Sequence, residues 1–278
     1  MAAQDVAVTA RDDRVLPLTR GVAYAIVPFL VVAFAVLYPW PDDTGRLFAW
    51  RIRPTMTAMM LGSAYLGGAY FFLRAARAVA WHTVKGGFVP VGVFASLMGV
   101  TTIMYWGKFN HQHVAFWLWV LLYFTTPFLI FWVWLRNRRY DAPAADGDAL
   151  LAPLVARVIG VVGALALVMG LYLFLLPGTA VRSWPWPLTP LTARVLGAVF
   201  CLGLAGTGAF VDRRWSSARL PLQVALVMLT LILVAGVRAH AEFDPANALT
   251  WLFAAGFGGV TVALAIVYRR MQRRAGAA

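Results

Sequence analysis

Charged residues bracket eight apolar runs along the chain, and each run has the length of one membrane-crossing helix. After Arg20 no charge occurs until Asp42, which places the first span at about 21–40. The second lies between Arg53 and Arg74, the third between Lys85 and Lys108, and the fourth runs from His113 to Arg136. The fifth lies between Arg157 and Arg182, the sixth between Arg194 and Asp212, and the seventh between Arg219 and Arg238, while the eighth ends at Arg269. A helix needs about 20 residues to cross ~30 Å of hydrocarbon, so all eight qualify, the sixth and seventh with least to spare. No stretch alternates polar and apolar residues as a barrel strand would. The expected fold class is all-α integral membrane.

Composition agrees. The 278 residues are 62% hydrophobic and 13% charged, against about a quarter charged in soluble domains. One aqueous core could not hide that much apolar surface, so lipid is the expected solvent. The net charge of +13 does not point to nucleic acid, because the arginines stand at the ends of apolar runs. There they set topology and meet anionic headgroups, which makes membrane lipids the expected partners. Arginine outnumbers lysine 22 to 2, a bias of GC-rich bacterial genomes, so the expected location is a bacterial plasma membrane.

The N-terminus, the 2–3, 4–5 and 6–7 loops and the C-terminus hold 16 of the 24 basic residues, so both ends are expected in the cytoplasm. No small-residue cleavage site follows the first span, which reads as an uncleaved anchor. Trp40, Trp50, Trp106, Trp184 and Trp186 would form an outer aromatic belt, and Trp81, Trp134 and Trp215 an inner one.

The two halves resemble each other. Thr57-Ala58, Leu61-Gly62 and Gly68 recur 135 residues later as Thr192-Ala193, Leu196-Gly197 and Gly203. A shift of 134 pairs Trp81 with Trp215, Phe109 with Phe243, Trp117-Leu118 with Trp251-Leu252, and Arg136 and Arg139 with Arg270 and Arg273. The expected organisation is a cytoplasmic tail (1–19), a four-helix repeat (20–139), a linker (140–152), a second repeat (153–270) and a tail (271–278). Four spans per unit make the repeats parallel. Small residues spaced by four, such as Ala58, Gly62, Ala193, Gly197 and Cys201, put helices 2 and 6 at the expected bundle centre. Cys201, the only cysteine, excludes disulfides and thiolate clusters.

No Asp, Glu, Lys, Arg or His falls in the middle of a span, which removes the usual proton relays and bis-histidine haem. No catalytic residue and no cofactor is predicted. Polar groups gather instead in two outer loops. One holds Trp106, Lys108, Asn110, His111 and His113, the other Arg238, His240, Glu242 and Asp244, and both are expected to face each other across the pseudo-axis. His111, His113, His240 and Glu242 are ligand types suited to zinc or copper. The ordinary alternative is local pairing of Lys108 or Arg238 with Glu242 or Asp244. Arg51 and Arg53, with Arg46, oppose the positive-inside trend and suggest an anion or headgroup site, against pairing with Asp42 and Asp43. Thr101, Thr102, Thr125 and Thr126 are expected to bond the carbonyl one turn back.

The strings FAWRIRPTMTAMMLG (48–62), WPWPLTPLTARVLG (184–197) and WGKFNH (106–111) resemble an uncharacterised group of eight-span membrane proteins of actinobacteria and similar bacteria. The resemblance covers most of residues 20–270, implies the same topology, and carries no activity across. Three functions follow as expectations. The first is a permease or binding protein for a small neutral or amphiphilic molecule or lipid, working between the halves. The second is an accessory or scaffold subunit held by other membrane subunits, and the third a metal-dependent enzyme at the outer face.

Overall fold

The computed structural model describes residues 12–144 and 148–276. Most of the expected N-terminal tail, three linker residues and the last two residues of the C-terminal tail lie outside that range. Among the described residues the chain is helical, with two isolated β-bridges and no strand. Eight helices are long and apolar enough to cross a membrane: α1 (Pro17–Leu37), α2 (Thr55–Arg77), α3 (Lys85–Met104), α4 (Val114–Tyr140), α5 (Pro153–Leu175), α6 (Pro190–Phe210), α7 (Trp215–Arg238) and α8 (Ala248–Ala275). The chain is therefore a multi-pass membrane protein.

Hydrocarbon offers the backbone no hydrogen-bond partner, so each apolar run closes its own ladder as a helix. The ends follow local chemistry more than charge. Pro17, Pro153 and Pro190 supply the fixed φ of a first turn, where a missing N–H costs nothing. Thr189 and Thr192 form a reciprocal capping box ahead of α6. Arg20, Arg157, Arg219 and Arg269 lie within helices that continue past them. A long guanidinium stem reaches water from inside a helix, so charge marks the hydrocarbon edge and trims the true helix by a turn or more.

The helices form two rows by contact. One runs α1–α2–α7–α8 and the other α4–α3–α6–α5, so each row mixes hairpins from both halves of the chain. The rows meet where α2 touches α6, where the start of α1 touches α4, and where α7 touches the start of α3 and the later part of α6. α2 is the most buried span, at 78%, as its small-residue row predicts; α3, at 56%, outranks α6, at 44%. α8 packs mainly on α7, reaches α6 through Phe257 and Phe200, and buries nothing along its apolar window.

Helices in lipid gain nothing from hiding apolar surface from each other, so close packing must hold them. On α2, Gly62 meets Leu37 and Tyr38, while Gly67 receives the Met228 side chain of α7. The α5–α6 seam is tighter, because there backbone touches backbone. A methyl at Gly163 would lie 2.6 Å from the Gly203 carbonyl oxygen and 2.9 Å from the Gly206 Cα, and one at Gly197 would lie 2.7 Å from the Gly170 carbonyl oxygen. Cys201 is buried beside Gly170 and serves packing. Gly163→Ala is expected to lower stability by about 2 kcal/mol, since backbone cannot swing aside as a side chain can. Gly178→Ala, with open space around it, is expected to stay within about 0.5 kcal/mol. Thermal unfolding in detergent compares them, and equal midpoints would mean that the seam is loose.

The first and last described residues lie at one end of the bundle, the terminal end; the other is the distal end. At the terminal end the segment before α1 pairs with the α2–α3 loop, Val15 N donating to Val79 O (3.1 Å) and Trp81 N to Asp13 O (2.7 Å). The segment before α5 pairs in the same way with the α6–α7 loop, Leu151 N donating to Arg213 O (2.8 Å) and Trp215 N to Ala149 O (2.7 Å). The aromatic belts need correction. Trp50, Trp81, Trp186 and Trp215 are buried, whereas Trp40 and Trp106 are exposed. Sequence gives a tryptophan's depth along a helix pair, not the side it faces, and these four plug the ends of the bundle from within.

Candidate functional site

The distal end spends its polar side chains on holding loops and helix ends. The loop after α3 docks through Asn110 N onto Ala49 O (2.8 Å), and the loop after α7 through Asp244 N onto Pro185 O (3.0 Å). Under each dock sits a triad of rings. Trp50 packs on Phe109 and Trp119 at 5.0 and 4.8 Å, and Trp186 on Phe243 and Phe253 at 5.0 and 5.3 Å. His113 caps α4 by accepting the Ala115 amide on Nδ1 (3.1 Å), and Asn247 caps α8 by accepting the Leu249 amide (2.9 Å).

Glu242 has a larger task. Its carboxylate accepts the Thr55 amide (2.8 Å), the Thr55 hydroxyl (2.7 Å) and the Met56 amide (2.8 Å) at the N-terminus of α2. Unpaired amides and the helix dipole both favour an anion there. The expected pairing of Lys108 or Arg238 with Glu242 or Asp244 does not form. Arg238 lies over the Tyr38 ring and donates to the Tyr38 and Pro39 carbonyls, Lys108 is exposed, and Asp244 accepts the Ala246 amide (2.9 Å).

The four expected metal ligands are divided among local tasks. His111 packs edge-on against Phe116 beside Trp106, His113 and Glu242 cap helices, and the His240 ring lies against the Val237 carbonyl. Among the described residues no three His, Cys, Asp or Glu side chains converge on a metal-sized site. Before α2, Arg53 pairs with Asp42 at 2.6 Å and Arg46 with Asp43 at 3.6 Å, while the Arg51 stem covers Gly45. Thr101, Thr102 and Thr125 bond the carbonyl four residues back, and Thr102 also accepts the Trp119 indole N–H (2.8 Å).

The terminal end carries an ionic cluster that the sequence does not reveal. Lys85 Nζ lies 2.8 Å from Asp141 and 3.2 Å from Asp212. Asp212 pairs with the buried Arg214 at 2.7 Å and accepts the Ser217 hydroxyl at 2.9 Å. Arg214 also donates to the carbonyls of Ala142 and Pro143, which draws the α4–α5 linker over the cluster. Burial alone would push the Asp212 carboxyl up, but bonds from the Arg214 side chain and amide and from Ser217, with the Lys85 charge, hold it well below the carboxylate range. Nearby, His82 pairs with Asp13 and meets the Ser216 hydroxyl at 3.0 Å. Lys85, Asp141 and Asp212 come from segments far apart in the chain, so no local spacing announces their meeting.

Between the two rows lies a partly open cleft of about 1240 Å³ to which all eight helices contribute. Its walls are almost wholly apolar and run along Met60, Ala64 and Gly68 of α2 and along Val199, Leu202 and Gly203 of α6. Lys85, Asp212 and Ser217 stand at its terminal mouth. Tyr65, Tyr123 and Thr126 also line it, and the Tyr65 and Tyr123 hydroxyls are bonded to each other at 2.6 Å.

No family model matches the chain, and neither a curated protein nor a solved structure matches it.

Proposed function

We propose that this protein binds a small neutral or amphiphilic molecule, or a lipid, in the cleft between its two helix rows. The cleft itself carries the proposal: about 1240 Å³ of apolar space at membrane depth, bordered by the most buried helix. That volume is of the order found for small-molecule sites, roughly 300–1,000 Å³. Lys85 and Asp212 stand only at its mouth, and the apolar walls beyond them suit a ligand whose body is uncharged. Passage of that ligand between leaflets is the permease form of the same function.

The arrangement within the membrane is part of the proposal. Parallel 4+4 duplication accounts for the repeated main-chain docks and ring triads, whose members lie 134 or 136 residues apart, as Trp50 and Trp186 or Phe109 and Phe243 do. It also accounts for two reciprocal contacts, α2 with α7 and α6 with α3. The arginine distribution favours cytoplasmic termini in a bacterial inner membrane, with the distal end outward.

The test uses the full chain in lipid nanodiscs and a decane carrying a diazirine, with labelled residues mapped by mass spectrometry. Labelling at Met60, Ala64 and Leu202 should saturate as probe is added, while lipid-facing positions such as Val262 take up label in proportion to concentration. Labelling confined to lipid-facing positions would mean a solid interior and would end the binding proposal.

A further inference from the structure

We infer that the Tyr65–Tyr123 hydroxyl pair is the polar anchor of the cleft, donating a hydrogen bond to a carbonyl oxygen on an otherwise apolar ligand. The inference rests on the cleft being a binding site and names the chemistry it selects.

Two phenols hold two protons, and the bond between them uses one. Neither hydroxyl has a further hydrogen-bond partner among the described residues, so one proton stays uncommitted. Tyr65 is 4% exposed and Tyr123 6%, and Phe94 packs against both rings at 6.5 and 6.1 Å. Water is scarce at this depth, and an idle donor there costs free energy. Both residues line the cleft.

The hydroxyls belong to one half of the chain only. The positions corresponding to Tyr65 and Tyr123 in the second half, at shifts of 135 and 134, are Phe200 and Phe257. Those rings also border the cleft and also meet, with centroids 6.1 Å apart. The second half thus joins its equivalent pair through ring contact without an oxygen atom, whereas the first half joins its pair through the hydroxyls. A donor with no acidic or basic neighbour in the hydrocarbon suits a neutral acceptor. A ketone, quinone or ester carbonyl fits, and an ammonium group, which can only donate, does not.

The probes are 4-decylbenzophenone, whose ketone both accepts a hydrogen bond and photolabels, and the carbonyl-free decyl diazirine. Both are applied to the full chain in nanodiscs. Wild type should be labelled by the ketone on α2, α3 and α4 near the pair. Tyr65→Phe with Tyr123→Phe should reduce that labelling about three- to ten-fold, the worth of one hydrogen bond. Either single change should leave it within about twofold, because the remaining phenol keeps its proton. Diazirine labelling of the cleft should be the same in all four proteins, which also reports that each is folded. Ketone labelling that survives the double change, or that falls as far in a single variant, would overturn the inference while leaving the cleft a binding site. Loss of diazirine labelling from wild type would remove both.

Discussion

Asp212→Asn is expected to cost this protein about 3–5 kcal/mol, the usual penalty for removing one partner of a buried ion pair. The Arg214 side chain is only 6% exposed and Asp212 18%, so water cannot replace the lost charge. Asparagine offers one acceptor where the carboxylate serves Arg214, Ser217 and Lys85 together. Lys85 keeps Asp141, which leaves Arg214 as the stranded group. Adding Arg214→Met should recover more than half of the loss, because an apolar side chain of similar reach needs no counter-charge. Unfolding midpoints in detergent measure both steps. A loss under about 1 kcal/mol would class the cluster with solvated surface pairs.

The same cluster sets a pH dependence of definite sign. Asp212 titrates lower in the folded chain than the ordinary value near ~3.9. The unfolded chain therefore takes up the proton first as pH falls, and the stabilisation disappears on the acid side. It is complete from neutral pH down to about 5 and declines below about 4. Asp212→Asn should remove that decline. A stability that falls instead between pH 7 and 5 would belong to another group and would contradict the assignment.

What could be read in advance was what is local. Charges flank every apolar run because no helix can carry them through hydrocarbon, so eight spans were visible at once. Small-residue rows mark Gly62 and Gly197 as close-packing positions, and Phe109 and Phe243, which align in sequence, each belong to a ring triad. Facing direction was less accessible. Trp81 and Trp215 lie at the right depth for a belt yet point inward, because the short segments before α1 and α5 dock beside them. Contacts between distant segments were invisible. Lys85, Asp141 and Asp212 meet from three distant segments, and Tyr65 meets Tyr123 across 58 residues. Each of these residues alone reads as an ordinary interfacial charge or a ring on a span.

Glu242 shows how the candidate outer-face residues change meaning once their partners are known, and its loss is the other large effect expected. Glu242→Ala should cost about 3 kcal/mol, since three bonds to a charged acceptor disappear and two amides at a helix start lose their partner. The sum is less than three separate bonds, because Glu242 is half-buried and water reaches part of the gap. Glu242→Gln keeps one oxygen acceptor but not the charge that the helix dipole favours, so about half the loss should remain. Thr55 opens α2, the most buried span, whereas Glu242 belongs to the loop between α7 and α8. Hydrogen exchange should therefore quicken at the Thr55 and Met56 amides before it changes elsewhere in α2. A variant that keeps its unfolding midpoint and the protection of those two amides would show that Thr55 and Met56 need no partner from the other half. If the loss appears as stated, Glu242 is held by α2 and is not free to serve as a ligand for zinc or copper.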